Sequence, residues 1–145
     1  MQDKIDFLRR AKVDLKISKN ILNGWSDEIE IDASAYHLQQ ALEKAMKHEI
    51  TLLGEDYPRT HEIKRLWSSL DSLGKTPPEW IWENRALLTD YADKTRYGEN
   101  LVAVERELRE FIALLEEYIK SIEDSISVLD GKFSPKEVFK DFGDV

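Results

Sequence analysis

The 145-residue chain contains no cysteine, which excludes a disulfide framework, thiol catalysis and cysteine-ligated zinc or iron–sulfur centres, and suits a reducing compartment. It also lacks a long apolar run. The polar start Met1-Gln2-Asp3-Lys4 passes directly into an amphipathic pattern, so neither a signal peptide nor a membrane span is expected, and a cytoplasmic protein follows. With only His37, His48 and His61 as imidazoles, a metal centre would need carboxylates from unrelated positions. No metal or other cofactor is expected. There is no His-Glu-x-x-His pair, no Gly-x-x-x-x-Gly-Lys-Ser/Thr loop, no Gly-x-Gly-x-x-Gly and no Gly-x-Ser-x-Gly elbow. A net charge of −8 argues against an extended nucleic-acid surface, whose affinity comes from many Lys/Arg contacts to phosphate. A small anion site remains open, because basic residues gather at Lys4, Arg9, Arg10, Lys12, Lys16 and Lys19, followed by Lys44 and Lys47.

What is present is helical periodicity, punctuated by glycines at 24, 54, 74, 98 and 131. The expectation is an all-α, antiparallel up-and-down bundle of about five helices over 1–130, with a short tail helix in 131–145. A chain of this length can bury about 70% of the surface its unfolded form exposes, enough for one core. The first helix is expected over about Asp3 to Asn23, with Leu8, Ala11, Leu15, Ser18 and Leu22 inward. The second is expected from Ala33 to Leu53, with Asp32 as N-cap. A third begins near Thr60, with Ile63, Leu66, Trp67 and Leu70 inward, and a fourth follows Thr76-Pro77-Pro78. The fifth repeats Leu101, Val104, Leu108, Phe111, Leu115, Tyr118, Ile122, Ser125 and Leu129 in three–four steps, long enough to span a bundle and contribute to a dimer. In the tail, Ser134-Pro135-Lys136-Glu137 has capping-box spacing, and Phe133, Phe139 and Phe142 must bury against the bundle or a partner.

On the second helix, Ala35, Leu38, Ala41, Leu42, Ala45, Met46, Leu52 and Leu53 share the core side, whereas Tyr36, Gln40, Glu43, Lys44 and Lys47 share the other. Two readings fit that polar side. It presents a binding surface, or Glu43 and Lys47 simply form an i,i+4 pair contributing about 0.2–0.5 kcal/mol to the helix. Glu49 falls on the apolar side, where it needs a partner or a raised pKa unless the helix end frays. The tryptophans Trp67, Trp80 and Trp82 read as core or interface anchors in preference to base-stacking platforms, which need a basic track.

The words Tyr36-x-x-Gln39-Gln40-Ala41-x-Glu43-Lys44-x-x-Lys47, Thr60-His61-Glu62-Ile63-x-x-Leu66, and Tyr91 with Arg96-Tyr97 resemble the HEPN family (higher eukaryotes and prokaryotes nucleotide-binding) from about Ile5 to Leu129. The resemblance implies a small antiparallel α-bundle, a homodimer, and an accessory or nucleotide-binding subunit working with a minimal nucleotidyltransferase in a two-protein, toxin–antitoxin-like module. Many such proteins are ribonucleases with four to six residues between an Arg and a His. That motif is missing: no Arg stands at those distances before His37, His48 or His61, and Arg96 is followed there by Leu101, Val102 and Ala103. No catalytic residue is therefore assigned, and an enzyme acting alone is not expected. The carried-over ligand-binding candidates are Tyr36, Gln40, Glu43, Lys44, Lys47, His61, Arg96 and Tyr97. The alternatives are a structural dimeric interaction module and a ribonuclease with an unorthodox site around His61 and Arg96. His61 has a local reading too, as part of the turn after Thr60. Arg96-Tyr97-Gly98 can likewise be a helix C-terminus.

Overall fold

The structure, a computed structural model, describes residues 6–93 and 103–133, with backbone alone from 126 onward. The expected sites at Arg96 and Tyr97 and the tail helix after Ser134 lie outside the described residues. Among those described, six helices form an antiparallel bundle with no sheet: α1 (Phe7–Ile21), α2 (Glu28–Leu52), α3 (Ile63–Ser72), α4 (Glu79–Glu83), α5 (Arg85–Asp93) and α6 (Glu105–Phe133).

The helix starts follow local hydrogen-bond supply. The Asp6 side chain accepts from Arg9 N at 2.9 Å and opens α1. At α2, Asp27 Oδ1 accepts from Glu30 N at 2.8 Å while Glu30 Oε1 accepts from Asp27 N at 3.0 Å, a complete capping box. This box starts α2 more than a turn before the expected Ala33. Asp32 is consequently not a cap. It is buried inside the helix, where desolvation, and then the charge of Glu28, raise its carboxyl pKa. The helix ends at Gly24, Gly54 and Gly74 carry φ of 103°, 85° and 84°, values that only glycine adopts freely. Gly131, by contrast, lies within α6 and does not end it.

The expected fourth helix is two. The Asn84 side chain donates to Trp80 O at 2.8 Å, and its backbone at φ −115° leaves helical geometry between α4 and α5. The third helix starts at Ile63, with Glu62 as its cap residue; Thr60 Oγ1 accepts from Glu62 N at 3.0 Å in the preceding turn.

α1 and α2 make the most extensive interhelical contact. The pair crosses at Ser18 and Ser34, whose hydroxyls each donate to the other residue's carbonyl at 2.8 Å, so the close approach leaves no buried hydroxyl unsatisfied there. α6 packs antiparallel to α1, tied by Lys19–Glu116 at 2.7 Å, Lys12–Glu123 at 2.6 Å and Arg109 Nη2 donating to Leu22 O at 2.6 Å. The core gathers Leu38, Leu42 and Met46 of α2 with Leu66, Leu88, Leu108 and Leu115, and each such side chain contributes about 1.5–3 kcal/mol by leaving water. Leu52 and Leu53, expected on the core side, are exposed, as is Val104. The tryptophans act as anchors. Trp67 and Trp82 rings lie 4.8 Å apart, Trp80 stacks on Phe111 at 5.9 Å, and Trp67 Nε1 donates to Pro78 O.

Candidate functional site

The polar side of α2 divides into two clusters, and neither is a solvated helix face. In the first, Asp14 of α1 receives Lys44 Nζ at 2.5 Å on one oxygen and His37 Nδ1 at 3.0 Å on the other. Tyr36 is half-buried with its ring edge-on to His37 at 5.3 Å. Lys44 is thus committed to a carboxylate that sequence reasoning had not connected to it.

The second cluster centres on Glu43, buried against the segment that returns from Gly54 to α3. Its Oε2 accepts from Lys47 Nζ at 2.8 Å, and its Oε1 accepts from His61 Nδ1 at 3.0 Å and Gln39 Nε2 at 3.2 Å. Gln39 also donates to His61 O at 3.3 Å, and Gln40 Nε2 donates to Gln39 Oε1 at 2.8 Å. Burial pushes the Glu43 carboxyl up, but the Lys47 and His61 hydrogen bonds, the charge of Lys47 and the Gln39 bond outweigh it and hold the pKa below the ordinary value. A carboxylate only accepts, so Nδ1 of His61 donates to Glu43 and its Nε2 is directed away from that carboxylate. The His61 side chain is 65% exposed and carries that nitrogen to the surface, whereas Lys47 is 10% exposed.

Above this floor opens a cleft of 280 Å³ lined by Phe7, Lys47, Tyr57, Arg59, Thr60 and His61. Tyr57 is its centre. The Lys47 ammonium lies 5.3 Å and the Arg59 guanidinium 5.2 Å from the ring centroid, and Phe7 meets the ring edge-on at 5.0 Å. Arg59 Nη1 donates to Tyr57 Oη at 3.3 Å and has no carboxylate partner among the described residues. The cleft therefore combines one unneutralised guanidinium, a lysine shared with Glu43, an exposed imidazole and an aromatic ring, a set suited to an anion carrying a flat or apolar group.

Of the sequence candidates, Glu43, Lys47 and His61 come together here, with Gln40 one hydrogen bond further out. Lys44 and Tyr36 belong to the Asp14 cluster. Gln39, Tyr57 and Arg59 were not singled out as site residues. The available signal was Tyr57-Pro58-Arg59 directly before Thr60-His61, an aromatic and a cation held two residues apart by proline. Glu49 finds its partner in α6: Tyr118 Oη donates to it, yet burial still raises its carboxyl pKa, and the Tyr118 phenol is raised as well. Tyr91 is buried in the core. Among the described residues no three histidine or carboxylate side chains cluster as a metal site would need, and no helix is long and apolar enough to cross a membrane.

Six helices among the described residues, and a polar floor shared by α2 and the segment before α3, define a small all-α bundle. The chain belongs to the HEPN family: the HEPN domain pattern matches residues 5–125. Neither the curated proteins nor the solved structures compared with it give a match.

Proposed function

We propose that the protein is a nucleotide-binding or accessory subunit that acts in the cytoplasm, as a homodimer, beside a minimal nucleotidyltransferase in a toxin–antitoxin-like module. The observation that supports this most directly is the cleft around Tyr57, with Arg59, Lys47 and His61 converging on it. A guanidinium not tied to a carboxylate is the natural first contact for phosphate, and its departure from Tyr57 would free that ring for a base or ribose. At 280 Å³ the cleft is at the small end of ligand sites, which suits one end of a mononucleotide better than an extended strand.

The test is thermal unfolding with a panel of nucleotides, repeated with Arg59→Ala, together with co-purification against a co-encoded nucleotidyltransferase. A ligand at about 100 times its Kd stabilises by about 2.7 kcal/mol, a shift of several degrees that Arg59→Ala should abolish. No shift with any nucleotide, and no association, would defeat the proposal. The interaction-module reading has one observation in its favour: Trp25 is 87% and Ile29 79% exposed beside the turn from α1 to α2. Loss of self-association in Trp25→Ser, measured by light scattering, would favour it.

A further inference from the structure

A second concavity, of 350 Å³, lies on the other side of α1, between that helix and α6. Its floor is apolar, formed by Leu15 and Ile119. Two ion pairs bridge it, Lys12 to Glu123 and Lys19 to Glu116. Between them stand Lys16 and Lys120, which also line the groove and have no carboxylate partner among the described residues. Four lysines against two glutamates leave the groove with a surplus of two positive charges. Leu15 and Ile119 show only a narrow apolar strip, 7% and 4% exposed, so an occupant gains chiefly from acidic groups set against the surplus lysines, with apolar groups covering that strip and the lysine stems.

The chain itself carries such a segment shortly after α6: Val138-Phe139-Lys140-Asp141-Phe142-Gly143-Asp144-Val145 has two aromatics, each followed within two residues by an aspartate, and one lysine. We propose that residues 138–145 fold back along α6 and occupy this groove, with Phe139 and Phe142 on Leu15 and Ile119 and with Asp141 and Asp144 against Lys16 and Lys120. The reach is sufficient. Glu123 lies ten residues before the end of α6, about 15 Å along its axis, and the six residues 134–139 span up to about 20 Å when extended. This inference is independent of the cleft around Tyr57, which lies on α2, the segment before α3 and Phe7 at the start of α1, and shares no lining residue with the groove.

The absence of cysteine makes the experiment direct. Spin labels attached through Asn20→Cys and Lys140→Cys in the full chain report the distance from the segment to the groove. The expected result is one short, narrow distance that lengthens and broadens in Lys16→Glu with Lys120→Glu, and returns when Asp141→Lys and Asp144→Lys are added. Phe139→Ser with Phe142→Ser should also release the segment while the helical circular dichroism persists. A broad distribution unmoved by charge reversal overturns the proposal, as does a narrow distance indifferent to it, which would place the segment elsewhere. A short distance found only between singly labelled chains overturns it too, in favour of docking on a second copy.

Discussion

Replacing Glu43 by methionine tests whether the α2 polar network is structural or merely solvated. The substitution keeps length and helix propensity but leaves the Lys47 ammonium, 10% exposed, without its 2.8 Å partner. Removing one member of a buried pair costs about 3–5 kcal/mol, because the remaining charge stays desolvated. Lys47 borders the open cleft and can turn toward water, so the lower end, about 3 kcal/mol, is expected. At roughly 2–4 °C per kcal/mol for a domain of this size, Tm should fall by about 10 °C. Lys47→Met alone strands the carboxylate, softened by Gln39 and His61, whereas the double variant Glu43→Met with Lys47→Met replaces the pair by two thioethers and should recover most of the loss. Denaturant unfolding of all four proteins closes the cycle. If the two single effects add to within about 0.5 kcal/mol, the pair is no more than a surface i,i+4 contact and the reasoning fails. The pH dependence gives a second reading. The folded Glu43 pKa lies below the unfolded value, so its contribution is present above about pH 4.3 and is lost as pH falls through the folded value. The double variant should lack that acid-side loss.

Glu49 carries the opposite sign: its folded pKa is raised, so it favours folding below about pH 4.3 and that contribution is lost as pH rises through the folded value. Glu49→Gln should therefore melt higher than the parent at pH 7 and about equal to it near pH 4; a variant less stable at pH 7 yet equal near pH 4 would show that the ionised Tyr118 contact is the stabilising one. Asp27→Ala removes the α2 capping box and should cost about 1 kcal/mol in urea unfolding, whereas Asp32→Ala, which removes an interior carboxylate, should not show a cap-sized loss. For Gly54→Ala, nothing lies within 4 Å of the added methyl, so the cost of about 1 kcal/mol expected from φ of 85° is purely backbone strain, and a neutral result would show that the turn relaxes.

Much of the fold was legible because its signals are local. Leu38, Ala41, Leu42, Ala45 and Met46 repeat at helical spacing and do face the core. α2 starts before Asp32 because Asp27-x-x-Glu30 supplies both halves of a capping box, which a lone aspartate five residues later does not match. Leu52 and Leu53 carry the periodicity of a buried face, yet they sit at the end of α2 and stay in water, which spacing alone does not reveal. The site was harder to read for a related reason. Helical geometry puts Glu43 and Lys47 side by side, but whether they are solvated depends on the return segment that carries Tyr57 and His61 over them. Likewise Asp14 and Lys44 are 30 positions apart, and only the crossing of α1 and α2 brings them together.

Apart from Phe7, the groups that build the Glu43 cleft and its floor are no further apart in sequence than Gln39 and His61, which are separated by 22 positions. Closing so short a loop costs little entropy, and the cost grows only slowly with length, so the cleft is largely the product of one contiguous stretch. The sequences of α4 to α6 are correspondingly free to drift, provided the core volume is kept, without re-aiming the charges in the cleft. Substitutions in those helices and in the cleft can then accumulate on separate schedules within one bundle.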